Sequence, residues 1–595
     1  MMPDGLSASP HGEADFSSRQ FAAGMVLIVL LAAALRLIYP TADPPWRTPV
    51  GVTWHDEGAW VHNARNKALF GVWSTDAWNP VFIAPVFSGL EYLSFRAFGV
   101  GLRQARLVSE IAGLLAVLAL GLGVRRTSNR AAGLMAAAML ATNYVYVMFD
   151  RAALMESSMT AALVLAWWCY ARSADRPMMG FFSGAFAMTA FFTKASAACF
   201  VLALAAEAML VLSRLVSDPS PASEAAAHAR RRAAAFCVLA GLAAGILVAL
   251  VVFVGPRWSE YRFYNWQVSI VRKPSYTLRA ILDRASWFPI IHDFFTRLWL
   301  VTLLAICAAF ASIQRFARLR PAERVLLLWL GLAVAELVLH DDGNERRFVL
   351  LIPPLVALAS LVLGHTRRLL TADLAEVPLR RALLWGPALL FALYTVFGAV
   401  GRLPWLYQVR PGVQFSALIA LLATGVTYLT WPRLPRWLSR EQWSVRAGVL
   451  VALLVTAGNV MQYIQWASDR TYKNYDASVA LGHWLPPGTL VHGKLSNGLA
   501  LENRIHPIFV GRGFGNYDDR TSRDDIRYLL TYISPRIGYE GPVIADVLDA
   551  YPGWRIVRTF DVAETAGGND RAALIDKHPE ARGDRFTDGT IRAHH

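Results

Sequence analysis

The sequence predicts a polytopic α-helical membrane protein of about 13 transmembrane helices, with a small α/β domain outside the membrane at its C-terminus. Three observations predict it. Of 595 residues, 55% are apolar and only 17% are charged, against roughly 25% charged in soluble domains. Apolar runs of about 20 residues, the length that spans a bilayer, recur along the chain. Lipid leaves the helix as the form in which each run pairs its own backbone. The last ~130 residues differ: they are polar and punctuated by turns, and long enough for a core of their own.

The elements follow in order. Residues 1–20, "MMPDGLSASPHGEADFSSRQ", are polar and carry acids. They lack the basic start and small-residue cleavage site of a signal peptide, so the next apolar run reads as a retained first helix. Crossings are expected near 21–39, 103–124, 132–149, 152–171, 180–194, 196–214, 233–255, 295–315, 323–340, 347–364, 382–400, 413–431 and 446–463. Within 180–214 the division rests on "FFTKAS" alone. The stretch "VFIAPVFSGLEYLSFRAFG" (81–99) is amphipathic and contains Pro85 and Glu91, which suits an interfacial helix. "SDPSPASEAAAHARRR" (217–232) reads as a flexible connection.

Placing the N-terminus in the cytoplasm makes every alternate loop arginine-rich: "RRTSNR", "ARSADRP", "HARRR", "RFARLRPAER", "HTRR…PLRR" and "RLPRWLSREQWSVR". The opposite loops, 40–102, 256–294, 341–346 and 401–412, are longer or more mixed and carry acids and aromatics. Residues 1–20 are then cytoplasmic. Residues 21–463 form a transmembrane unit with outer loops 40–102 and 256–294, and 464–595 lie outside the cytoplasmic membrane. The net charge of +15 resides in short cytoplasmic loops, which excludes nucleic acid and leaves the bilayer as the partner. Cys169, Cys199, Cys237 and Cys307 all lie in apolar runs, so no disulfide is expected. In the tail, "YDASVALGHWL" suits a helix and "TLVHG", "HPIFVG" and "WRIVRTFDV" are apolar pieces. "RDDIRYLLTYI" is helix-like, and "PPG", "GRGFGN" and "YPGW" mark turns.

Three outer stretches hold the ionisable residues. "GVTWHDEGAW" places His55, Asp56 and Glu57 side by side. Asp56 can cap the helix "EGAWVHNARNKALFG", with Glu57 in its first turn, or the acids can do chemistry at the membrane surface. In "FDRAALMESSMT", Glu156 stands inside an apolar helix, where a carboxylate costs on the order of 2.5–3.5 kcal/mol at mid-membrane. It needs a cavity or a cation, and Arg151 is close by; Asp150 is a second acid there. In "HDDGNERRFVLLIPPLVALAS", Arg346 and Arg347 stand on the outer face against the charge bias of the chain. They can snorkel or hold an anion. Arg262, Arg272 and Lys273 alternate with aromatics in "RWSEYRFYNWQVSIVRKPSY", and Lys194 comes out on the same face. Carboxylates, cations, tryptophan and tyrosine together suit a substrate with a phosphate, a sugar and a lipid tail. A transporter or flippase is the alternative, but its paired halves with broken helices are not seen.

The chain resembles the membrane-embedded GT-C glycosyltransferases, in the branch of the lipid A aminoarabinose transferase and the protein O-mannosyltransferases. The resemblance is carried, in order over about residues 20–365, by "ALRLIY", "HDEGAW…NARNKALFG", "FGVGLRQARLVSEIAGLLAV", "DRAALMESSMT", "FFTKASA" and "RRFVLLIPPL". It implies an inverting transfer of a sugar from a polyprenyl-phosphate donor to an envelope lipid, polysaccharide or protein. The family's acidic pair falls on Asp56 and Glu57, its later acid on Glu156 and its arginine before an aromatic residue on Arg347. Asp56 is then the general base, with Glu57 and Glu156 orienting substrate. Arg347, Arg346, Arg272 and Lys273, with Arg262 and Lys194, serve the donor phosphate, and His55 and Asp150 contact substrate. Relatives often carry a basic residue before the prolines of "NPVFIAP", where this chain has Asn79, so the phosphate must lean on those other cations. Metal use varies among relatives; no cofactor is expected here, and the sequence holds no convincing metal-ligand cluster.

Overall fold

Residues 16–45, 54–73, 81–217, 225–266, 298–313, 316, 319–340, 345–370, 422, 445–508, 519–533, 542–563 and 570–579 are described by a computed structural model. The first helix, α1 (Ser18–Leu37), opens on a capping box: the Ser17 hydroxyl accepts from the Gln20 backbone while the Gln20 side chain accepts from the Ser17 N–H. Two helices follow in the first long loop, α2 (His55–Phe70) and α3 (Pro85–Phe98); α3 is the amphipathic piece expected at 81–99. Then come α4 (Leu102–Thr127), α5 (Arg130–Thr142), α6 (Tyr144–Asp150), α7 (Met155–Ser173), α8 (Met178–Thr193), α9 (Ala198–Ser217), α10 (Ala225–Ala249) and α11 (Trp258–Trp266). Longer helices follow at Trp299–Ile313, Pro321–His340, Ile352–Leu370 and Val445–Ser468.

Among the described residues, six helical stretches are long and apolar enough to cross a bilayer: Ser18–Leu37, Leu102–Thr127, Ala195–Ser213, Ala229–Trp266, Arg346–Gly364 and Gly448–Trp484. A seventh arises if α5 and α6, bent by 60° at their break, form one span. Among the described residues the count of 13 is not confirmed. Helices also stand at Met155–Ser173, Met178–Thr193, Trp299–Ile313 and Pro321–His340, but α8 has 16 residues and Trp299–Ile313 has 15. Glu156 and Arg172 lie in α7, and Glu323, Arg324 and Glu336 in Pro321–His340. The crossings expected at 382–400 and 413–431 lie outside the described residues. The expected connection 217–232 is shorter than read, because α10 already begins at Ala225. Helix Val445–Ser468 likewise runs past the boundary placed at 463/464.

The C-terminal region builds a mixed five-stranded sheet from β1 (Leu490–His492), β2 (His506–Ile508), β3 (Tyr528–Tyr532), β4 (Arg555–Val562) and β5 (Asp570–Asp576), in the order β2-β1-β3-β5-β4. Strand β1 runs parallel to β2 and β3, and β5 runs antiparallel to β3 and β4. The helix-like "RDDIRYLLTYI" is corrected here, because its core is β3, the central strand. All of its residues are buried. Tyr528, Leu530 and Tyr532 pack with Leu481 of the helix Lys473–Trp484, and Leu529 packs on the other face with Val547 of Pro542–Ala550. A strand covered on both faces reads as an unbroken apolar run, and such a run carries no period to separate it from a helix.

The sheet unit is bound to the helices by buried polar contacts. Arg65 of α2 donates from Nε to the Ala500 carbonyl at 2.9 Å, and from Nη2 to Asn503 and Ile505 carbonyls at 2.9 Å each. Burial lowers its pKa to about 9, which still leaves it charged at neutral pH. Asp43 accepts from the Thr471 hydroxyl at 2.7 Å and from the backbone N–H of Lys473 and Asn474 at 2.8 and 3.1 Å, so it caps helix Lys473–Trp484. Glu502 accepts from the Leu102 N–H at 2.6 Å, at the start of α4. The sheet therefore sits on the helix ends that carry α2.

Candidate functional site

The polar site forms where α2 meets the ends of α7 and α8. Helix α2 begins at His55 with Trp54 as its N-cap residue and no side-chain cap. Asp56 is therefore not the cap. Asp56 and Glu57 both stand in the first turn, where the helix dipole favours negative charge. Successive helical residues are roughly 100° apart, and the two carboxylates diverge.

Glu57 turns into the helix bundle. Arg106 of α4 grips it bidentately, from Nε to Oε1 and from Nη2 to Oε2, each at 2.8 Å. The Ala153 N–H donates to Oε1 at 2.8 Å. Arg106 also donates from Nη1 to the carbonyls of Pro40 and Ala42, at 2.9 and 2.7 Å. Glu57 thus joins α2, α4, the chain after α1 and the approach to α7.

Asp56 turns the other way. Its Oδ2 pairs with Nη1 of Arg346, which belongs to the helical turn Glu345–Phe348. Nε of Arg346 lies 3.4 Å from Oε1 of Glu156. Glu156 is in the first turn of α7 and its side chain is fully buried. Lys194 Nζ donates to the same Oε1 at 2.5 Å. Lys194 follows α8 in extended conformation, before the short turn Ala195–Ala197, so the break at "FFTKAS" delivers the ammonium to this site. Arg347 is half-buried and near enough to Lys194 for the two charges to interact.

Arg151 is not the partner of Glu156. It donates to the carbonyls of Leu35, Arg36, Ile38 and Tyr39, at 3.1, 2.6, 2.6 and 2.6 Å, and so closes the C-terminal end of α1. Asp150 is fully buried and pairs with Arg36 of α1 at 2.7 Å. This pair needs Gly113 of α4, where a Cβ would come within 2.1 Å of Asp150 Oδ2.

The sheet unit closes the site from its far side. Tyr532 Oη of β3 lies 3.3 Å from Nδ1 of His55, and His55 Nε2 lies 3.7 Å from Asp56 Oδ1. A Cβ on Gly498 would meet the His55 Cα at 3.0 Å, and one on Gly58 would meet the Asn497 carbonyl at 1.8 Å, so backbones touch here. Both positions require glycine for that approach.

The structure therefore brings together His55, Asp56, Glu156, Lys194 and Arg346, with Arg347 beside them. Glu57 and Asp150 lie behind, each held by its own arginine. Arg262 is exposed on α11, and Arg272 and Lys273 lie outside the described residues. Among the described residues no group of three or more His, Cys, Asp or Glu is placed to hold a metal ion. Two residues were not singled out from sequence. Arg106 sits inside the quoted "FGVGLRQARLVSEI", with no spacing that links it to Glu57. Tyr532 sits inside the segment misread as helical.

The comparisons with known proteins agree on the fold. Residues 83–229 match the family model of dolichyl-phosphate-mannose-protein mannosyltransferase. The apo structure of ArnT from Cupriavidus metallidurans is similar at 16% identity, with a TM-score of 0.54, covering 95% of this chain and 100% of that one. The same protein bound to undecaprenyl phosphate is similar at 16% identity and a TM-score of 0.50, covering 95% and 98%. No curated protein matches in sequence. The resemblance to membrane-embedded GT-C glycosyltransferases is thus supported by a segment match and by the fold.

Proposed function

We propose that this chain is an inverting glycosyltransferase that moves a sugar from a polyprenyl-phosphate donor to an envelope acceptor, on the outer face of the cytoplasmic membrane. The observation that carries the reading is the shared ion cluster: carboxylates from α2 and α7 converge on Arg346 and Lys194 beside the ends of apolar helices. A transporter has no need of a base and two cations gathered on one face. The ArnT structure with undecaprenyl phosphate lends the donor class its support.

Each residue then has a part. A phosphate leaving group is already the anion of a fairly strong acid, so it needs cations rather than a proton. Arg346, Arg347 and Lys194 supply preorganised positive charge, with Arg262, Arg272 and Lys273 proposed to guide the donor from the following loop. A guanidinium has five donors, so Arg346 holds Asp56 and a phosphate oxygen together. Asp56 takes the acceptor hydroxyl proton as that oxygen attacks the anomeric carbon from the side opposite the phosphate, which inverts the centre. Glu156 orients substrate against Lys194. Glu57, through Arg106, fixes the start of α2, and Asp150 with Arg36 holds the helices behind the site.

The test is release of polyprenyl phosphate from a radiolabelled polyprenyl-phosphate sugar in proteoliposomes supplied with envelope extract. Release with transfer to an acceptor is expected; movement of the intact lipid across the bilayer without release overturns the proposal in favour of a flippase. Orientation has its own test. With cysteine at Ser128 or Ser522, a membrane-impermeant thiol reagent applied to intact spheroplasts is expected to label only Ser522→Cys, and labelling at Ser128→Cys instead reverses the topology.

A further inference from the structure

Glu57, Glu156 and Glu207 are buried carboxylates paired with cations, and they are held differently. Glu57 accepts from Arg106 through both oxygens, and so does Glu207 from Arg324. Glu156 is held through one. Lys194 Nζ donates to its Oε1 at 2.5 Å, and Nε of Arg346 stands 3.4 Å from the same oxygen. Its Oε2 is buried and accepts no hydrogen bond among the described residues. Glu156 also lies in the first turn of α7, where the helix dipole favours an anion. Carboxylate and phosphate oxygens take cationic donors at the same distances. The point that Oε1 holds is therefore one where Lys194 and Arg346 would hold a phosphate oxygen.

The transfer proposed above changes the charge of what those cations hold. A polyprenyl-phosphate sugar is a phosphodiester with a single negative charge. As the bond from the anomeric carbon to the phosphate oxygen breaks, the phosphate keeps the electron pair and gains a charge. The product is a phosphate monoester, close to doubly charged at neutral pH. Cations alone would hold it more tightly than the donor, and the site would stay filled after one transfer. A fixed anion beside the phosphate opposes this, because its repulsion scales with the charge it meets. We propose that Glu156 is the residue that releases the product: its carboxylate, between Lys194 and Arg346, weakens polyprenyl phosphate more than the donor and takes both cations back as the product leaves. The inference rests on the transfer reading. The hold through a single oxygen suits the role, since one oxygen is given up and regained more readily than a bidentate grip.

The experiment measures binding of two probes that differ by one charge, undecaprenyl phosphate and its methyl ester, to the full-length protein in proteoliposomes. It is run at about pH 8, where the monoester is doubly charged. The wild type is expected to bind the two within about threefold of each other. Glu156→Gln keeps the side chain's size and removes its charge. It is expected to tighten undecaprenyl phosphate about 10- to 100-fold and the methyl ester about 3- to 10-fold. Glu156→Asp keeps the charge and is expected to keep the wild-type ratio. Unchanged or weaker binding of undecaprenyl phosphate by folded Glu156→Gln overturns the inference. If that variant does not fold, the wild type decides: undecaprenyl phosphate held more than about tenfold tighter than its methyl ester overturns it too. Transfer by the wild type, read from release of polyprenyl phosphate, stands in either case. Wild-type protein that binds neither probe, or releases no polyprenyl phosphate, overturns the functional reading itself.

Discussion

Two buried ion clusters within the helices use the same side chains and differ in closure. Between α9 and helix Pro321–His340, Arg324 meets Glu207 bidentately at 2.8 and 2.5 Å, and its Nη1 donates to the Leu319 carbonyl at 2.6 Å. One guanidinium spans both oxygens of one carboxylate, and a main-chain carbonyl takes a further donor. At the site, one guanidinium reaches Asp56 and Glu156, and Glu156 is shared again with Lys194. Asp56, Lys194 and Arg346 keep 10–16% side-chain exposure, while Glu156 is fully buried. A closed pair holds helices together. A shared, half-open cluster of cations and carboxylates is arranged for one more anion to enter. Charge and burial alone do not separate the two kinds; the sharing of one guanidinium between carboxylates of two helices does.

The strongest way to break that distinction is Asp56→Asn. Its carboxylate does not cap α2, so the change leaves the helix start intact. Transfer is expected to fall by roughly 10²–10⁴-fold, with the unfolding temperature in detergent almost unmoved. Near-normal transfer by folded protein would pass the role of base to Glu156. The closed pair predicts the reverse pattern. Arg324→Gln leaves Glu207 as a buried charge without its cation, and stability is expected to drop by about 3–5 kcal/mol, read by thermal unfolding, while the folded fraction transfers sugar at the normal rate. Glu57→Gln lies between the two, because Arg106 loses its partner beside the site. Both stability and transfer are expected to suffer, transfer less than in Asp56→Asn.

Smaller effects sharpen the comparison. Arg347→Ala is expected to weaken donor binding about tenfold, one pairing's worth at ~1.4 kcal/mol, with Lys restoring only part because a planar fork becomes a point charge. Unchanged affinity in both variants takes Arg347 out of the site. The last effect lies in the sheet unit. His492 of β1 is buried, and burial, then the charges of Lys577 and Arg523, push its pKa down to about 3. The unfolded imidazole takes its proton near pH 6.5, so the unfolded state binds more protons below that value. Stability of this unit is expected to decline as pH falls from about 6.5 towards 3, and His492→Asn to flatten that slope in chemical denaturation. An equal slope in both proteins removes His492 as its cause.

Much of this architecture is legible in the sequence, because lipid demands long apolar runs and leaves few ways to pair a backbone. The break at "FFTKAS" and the amphipathic helix Pro85–Phe98 are read from composition and period. The site is legible as a set of residues and not as a set of partners. Glu156 looked to Arg151, five positions away, and instead found Lys194 and Arg346, 38 and 190 positions away. Arg151 spends its donors on the carbonyls of α1. Partner choice among many arginines is settled by helix packing, which leaves no local trace. The same holds for β3: an unbroken apolar run shows burial, and only its neighbours decide between strand and helix.

The three carbonyls that accept from Arg65 lie 435 to 440 residues after it. At a synthesis rate of about 5–20 residues per second, roughly 20–90 s pass between the emergence of α2 and that of its partners. Through that interval Arg65 of α2 waits for the carbonyls that bury it. The site is therefore among the last parts of the molecule to be finished at biogenesis. A chain cut short before residue 500 would insert its helices and still lack the wall that seats His55.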